Sequence, residues 1–271
     1  MNKPDDTKVL SVVAFTGLMF LIVMMPTIVI SFFVGTEMQG LVGTALFFLN
    51  FGLYYFLVYA FIRWEGGSSI SEVGADVEDK QLFSHISIGL LAGAIGAGIV
   101  VFIAGFFGGD LRPGSQITID LILSEIIITV PTAFFEELAF RGYMVPRMAS
   151  LWGKGKGIVI GSLVFGLSHF SWWAPLGSVP IHLVLLFTFN LTLGGIILSL
   201  SYFMSGDKLW VPIGFHFAWN MIAYIMFPVY PRDYVYLPEI FQIEWGATTF
   251  IGFLLGLSVV WLLIDMLKKK K

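Results

Sequence analysis

Long apolar runs separated by short polar breaks fill the chain from end to end. Runs long enough to cross a hydrocarbon core of about 30 Å fall at about residues 9–35, 41–62, 86–107, 118–147, 157–174, 179–204, 210–229 and 246–267. This pattern predicts an all-α integral membrane protein of eight transmembrane helices, built as one domain over residues 1–271. The first run follows MNKPDDTK and is much longer than the roughly 7–15 residues of a signal-peptide core, so it is expected to be a membrane helix. The fourth run carries Pro131, which removes a backbone donor and is expected to kink the helix there. The fifth is short and rich in glycine. The one long polar connection, WEGGSSISEVGADVEDKQLFSH at 64–85, has room for a short interfacial helix.

Composition changes this picture little but excludes much. The chain is 57% hydrophobic and 12% charged, against about 25% charged in soluble domains, so a soluble fold is excluded. Cysteine is absent, which removes disulfides, thiolate metal sites and a cysteine nucleophile. The net charge of −3 matters less than where the cations sit. With eight spans both termini share one side, and that side receives Lys3, Lys8, Arg63, Lys80, Arg147, Lys154, Lys156, Lys208 and Lys268 to Lys271. The other side receives Arg112 and Arg232, and Arg141 lies within a span. The asymmetry predicts cytoplasmic termini.

Against this apolar background a few polar groups lie deep. Glu136 and Glu137 interrupt the fourth run in TVPTAFFEELAFRGYMV. Carboxylates cost roughly 2.5–3.5 kcal/mol each at a bilayer centre and persist where they are paired or functional. At ~1.5 Å per residue, Glu136 lies about 16 Å in from Arg147, His169 about 19 Å from Lys156 and His216 about 12 Å from Lys208. Three helices thus bring polar side chains to a similar level. Glu137 and Arg141 are four residues apart, as are His216 and Asn220, so each pair shares a helix face. Glu137 is expected to pair with Arg141, leaving Glu136 for chemistry. His85 and His182 fall at helix ends and are expected to anchor at the interface. Asp120 and Glu125 are expected to be solvated, and Phe170, Trp172 and Trp173 to belong to an aromatic belt.

A buried carboxylate beside an imidazole can hold and deprotonate a water. A second imidazole and a carboxamide can donate hydrogen bonds to a developing oxyanion. Glu136, His169, His216 and Asn220 therefore supply an amide-hydrolysing site that needs no covalent nucleophile. The same inventory admits three other readings. One is a two-histidine, one-glutamate zinc site, although the helical H-E-x-x-H pattern is missing. Another is a proton path in a transporter, and the last is a buried polar lock between helices.

The three segments together resemble the motifs of the CAAX protease and bacteriocin-processing family of membrane proteins. Glu136, Glu137 and Arg141 match E-E-x-x-x-R, and Phe165 and His169 match F-x-x-x-H. His216 and Asn220 match the H-x-x-x-N of the prenyl-endopeptidase branch, and the eight-helix count fits that branch. The resemblance implies a catalytic core over about 118–229 in an intramembrane endopeptidase of the cell membrane, reached from the cytoplasmic side and the bilayer. It implies cleavage after the prenylated cysteine of a CAAX protein or peptide, with release of the C-terminal tripeptide. Glu136 and His169 would activate water, and His216 and Asn220 would stabilise the oxyanion. Glu137, Arg141 and Phe165 would support them. No cofactor, metal or nucleic acid is expected, only the prenylated substrate and membrane lipid. The alternatives within this resemblance are a zinc-dependent membrane metalloprotease and a non-catalytic, immunity-type binding protein.

Overall fold

The computed structural model describes residues 6–78, 80–169, 181–227 and 246–269. Among them the chain is helical, with no strand. The helices are α1 (Asp6–Ser31), α2 (Gln39–Trp64), α3 (Leu82–Phe106), α4 (Ile119–Glu137), α5 (Val145–Trp152), α6 (Lys154–Ser168), α7 (Ile181–Met204), α8 (Trp210–Met226) and α9 (Thr249–Lys269). A π-helix, Leu138–Met144, joins α4 to α5. Each apolar run has its helix, and five of them (α1, α2, α3, α7 and α9) are long and apolar enough to cross a membrane. The other three depart for a physical reason. Helices α6 and α8 have only 15 and 17 residues, and α4 carries Asp120, Glu125, Glu136 and Glu137. These are the helices that supply the candidate polar groups.

The structure adds detail to several expectations. Helix α4 runs on through Pro131, and the departure from α geometry begins seven residues later, at Leu138. The fifth run ends earlier than its apolar text, so that His169 is the residue capping the C-terminus of α6. Among the described residues of the 64–85 connection a 3-10 turn forms at Ile70–Val73. Ser69 Oγ accepts the Ser71 amide at 3.2 Å, and Glu72 Oε1 accepts the Ser68 amide at 2.7 Å. His85 is buried rather than interfacial, and Glu125 is half-buried. His182 and Asp120 are exposed. Phe170, Trp172, Trp173 and Arg232 lie outside the described residues.

Two packed cores flank the site. One joins α1, α2 and the π-helix through residues such as Phe15, Tyr54, Phe61, Leu138 and Tyr143. The other joins α3, α7, α8 and α9 through Ala92, Ile197, Phe215, Trp219 and Phe253. Helix α8 approaches α3 at backbone distance. A Cβ on Gly89 would meet Val211 O, and one on Gly93 would meet Phe215 O. Apolar lipid supplies no hydrophobic drive between membrane helices, so small residues that let backbones approach supply the packing instead. This contact places the stretch of α8 that carries His216.

The first core is pinned at one end by Glu65, just past α2. Its Oε1 accepts from Ser11 Oγ at 2.7 Å and Tyr143 Oη at 2.6 Å, and its Oε2 accepts from Arg147 Nη2 at 2.7 Å. Burial works against the Glu65 charge, but the hydrogen bonds from Arg147, Tyr143 and Ser11 outweigh it and hold the carboxyl below the ordinary range. The 64–85 connection docks nearby. Leu209 N donates to Gly74 O at 3.1 Å and Trp210 Nε1 to Asp76 O at 2.9 Å. The buried Val73 covers Gly142 of the π-helix.

Candidate active site

The end of α4 delivers Glu136 and Glu137 about 100° apart around the helix, and the structure gives them different surroundings. Glu137 is fully buried, and its Oε1 accepts from Arg141 Nη1 at 2.9 Å. The Arg141 guanidinium, itself fully buried, lies 4.1 Å from the centre of the Phe165 ring. Stacking on that face offsets part of the cost of burying the cation.

Glu136 turns the other way and keeps 15% side-chain exposure. Its Oε2 lies 3.5 Å from His169 Nε2 and 4.0 Å from His216 Nε2. Both imidazoles are oriented from behind. His169 Nδ1 lies 2.8 Å from the Phe165 carbonyl, one turn back on α6. A carbonyl only accepts, so Nδ1 carries the proton and Nε2 is the atom presented to Glu136. His216 Nδ1 lies 2.9 Å from Glu137 Oε1, and an ionised carboxylate likewise makes Nδ1 the donor. Asn220 sits one turn beyond His216 on α8, and both are buried.

The separations of 3.5 and 4.0 Å at Glu136 Oε2 are those at which a bridging water is to be sought. Arrangements of this kind suit general-base activation of water, with Glu136 and His169 the two more open groups, at 15% and 29% side-chain exposure.

All seven candidate residues from the sequence, Glu136, Glu137, Arg141, Phe165, His169, His216 and Asn220, lie on α4, the π-helix, α6 and α8 or at their ends. The structure brings the first six into one connected set. Pairing Glu137 with Arg141 alone was too simple. His216 also binds Glu137 through one ring nitrogen and faces Glu136 with the other. No spacing within a single helix signals that bridge, because it forms between α4 and α8. Among the described residues no three His, Cys, Asp or Glu side chains are grouped to hold a metal ion.

Residues 118–222 match the family model described as type II CAAX prenyl endopeptidase Rce1-like. This stretch is similar to the Rce1-like domain. The match contains every candidate residue, from Glu136 to Asn220. An endopeptidase hydrolyses peptide bonds, which is the chemistry that a carboxylate, two imidazoles and a carboxamide can perform. The matched stretch leaves out α1, α2, α3 and α9, although α3 and α9 pack against α8 and α2 packs against α4. No curated protein matches the chain.

Proposed function

We propose that the protein is an eight-span intramembrane endopeptidase with both termini in the cytoplasm. It removes the C-terminal tripeptide from prenylated CAAX proteins or peptides by glutamate-activated attack of water. The observation that carries this reading is Glu136 Oε2 flanked by two imidazole Nε2 atoms, at 3.5 and 4.0 Å, inside the matched segment.

In the proposed reaction, water held between Glu136 and His169 loses a proton to Glu136 as its oxygen attacks the carbonyl carbon of the prenylated cysteine. The carbonyl oxygen becomes an oxyanion and accepts hydrogen bonds from the Asn220 amide and from protonated His216 Nε2. The Glu137 carboxylate at His216 Nδ1 orients the ring so that Nε2 faces the site. Collapse of the tetrahedral intermediate breaks the C–N bond. The proton held by Glu136 passes to the leaving nitrogen, and the tripeptide departs with a new amino terminus. The isoprenoid remains in lipid, which suits a site whose surroundings are apolar helices.

The test uses purified protein and matched prenylated and non-prenylated CAAX peptides, with product masses recorded. Cleavage of the prenylated peptide alone, three residues from its end, is expected. Glu136→Gln keeps the shape but removes the base and should lower the rate by about 10²–10⁴ in a protein that still purifies folded. Activity should also survive exhaustive chelation. Stoichiometric zinc whose removal abolishes cleavage and whose return restores it would instead make His169 and His216 ligands. A Glu136→Gln protein of normal activity would remove Glu136 from the base position.

A further inference from the structure

Helix α8 carries His216 and Asn220, and chain outside the matched segment holds both of its ends. At the amino end, Gly89 and Gly93 of α3 admit the backbone of Val211 and Phe215, and Leu209 and Trp210 bond to Gly74 and Asp76. At the carboxyl end the holder is Arg112, in the connection between α3 and α4. Arg112 Nε donates to Ile225 O at 2.9 Å, and Nη2 donates to Tyr224 O and Phe227 O, each at 3.3 Å. The Arg112 amide donates to Met226 O at 2.7 Å. One arginine thus meets the carbonyls of residues 224–227 in succession. The last carbonyls of a helix have no partner within it, and a cation there also meets the negative end of the helix dipole. The clamp is itself anchored, because Leu111 packs against the core that contains Phe215 and Trp219.

The two site residues on α8 differ in how they are held. His216 bonds Glu137 directly at 2.9 Å and directly follows Phe215 of the glycine contact. Asn220 lies one turn farther on, and Tyr224 one turn beyond Asn220 on the same face. At ~1.5 Å per residue the clamp begins about 6 Å from Asn220 and about 12 Å from His216. From this arrangement we infer that Arg112 is a positioning residue, which fixes the last turn of α8 and so sets the depth at which Asn220 presents its amide to the oxyanion. The inference rests on the reading of Asn220 as an oxyanion donor.

Arg112→Gln removes the cation and its forked donors. With the prenylated peptide, kcat should fall about tenfold to a hundredfold, the scale of a catalytic group misplaced from a distance, while KM stays close to wild type. The deciding comparison is a double-mutant cycle. In an Asn220→Ala background, Arg112→Gln should cost almost nothing more, because the group it positions is gone. A full further loss in that background would make Arg112 a general support of the fold and overturn the inference, as would a normal kcat in the single variant. Arg112→Lys keeps the cation and the backbone bond to Met226. It should fall between the two proteins, and it serves the same cycle if Arg112→Gln does not purify folded. A second readout needs no activity. In NMR spectra of protein labelled at asparagine, the side-chain amide signal that vanishes in Asn220→Ala should move in the Arg112 variant, and an unmoved signal would overturn the inference. A wild-type protein that does not cleave the peptide would overturn the hydrolase reading, and the amide signal would still decide whether Arg112 positions Asn220.

Discussion

Two neighbouring glutamates with the same chemistry occupy different environments. Glu137 is sealed between Arg141 and His216, whereas the Glu136 side chain keeps 15% exposure beside His169. Removing the charge from each should therefore produce different losses. Glu137→Gln leaves Arg141 buried without its anion, and breaking a buried pair costs roughly 3–5 kcal/mol. It also withdraws the acceptor that orients His216. A clear drop in thermal midpoint, together with reduced activity, is expected in a melting assay on detergent-solubilised protein, whereas Glu136→Gln should melt near wild type. Equal midpoints for the two variants would contradict the division of roles. The i,i+4 spacing already signals the Glu137–Arg141 pair, because one helix contains both partners. Phe165 is legible only as a motif position. That its ring would lie under Arg141 and its carbonyl behind His169 depends on how α6 meets the π-helix.

Among the elements, the least regular ones matter most to the site. The π-helix Leu138–Met144 follows directly on the glutamates and carries Arg141, and irregular turns of this kind often mark functional sites. Pro131 gives no sign of the π-helix seven residues on, because a proline signals only a missing donor and a local clash. A π segment arises when the tertiary packing of several side chains favours it. Helix α8 is held by the glycine contact with α3, so the contact itself is open to test. Gly93→Ala would place a methyl group against Phe215 O, next to His216. Overpacking of this kind typically costs about 1–3 kcal/mol. Lower stability and lower activity should appear together, while Gly98→Ala, with open space around its Cβ position, should leave both unchanged. A Gly93→Ala protein with normal stability and activity would show that the α3–α8 approach has slack.

At the scale of the molecule, the distribution of lysine and arginine predicts cytoplasmic termini for an eight-span arrangement. Cysteine placed at Ser68 or Ser115, in a chain that has none of its own, should react with an impermeant thiol reagent from opposite sides of the membrane. Ser68 should label from the cytoplasm. Labelling of both from one side would refute the eight-span arrangement. Five helices satisfy the length and apolarity of a span, and the three that carry the site groups do not. Polar chemistry inside a membrane protein lowers the hydropathy signal where the function lies.

The sequence by itself determined the class of protein, the approximate positions of the helices and the residue types available for chemistry. These depend on local composition and on periodicity within single helices, where a 3.6-residue repeat decides which side chains are neighbours. Tertiary structure alone decided that His216 bridges both glutamates, that α6 stops at His169 and that a π-helix carries Arg141. Each of these depends on contacts between helices far apart in the chain. Their register is set by packing, by glycine-mediated approach and by the Glu65 anchor, none of which leaves a periodic trace in the text of any one segment.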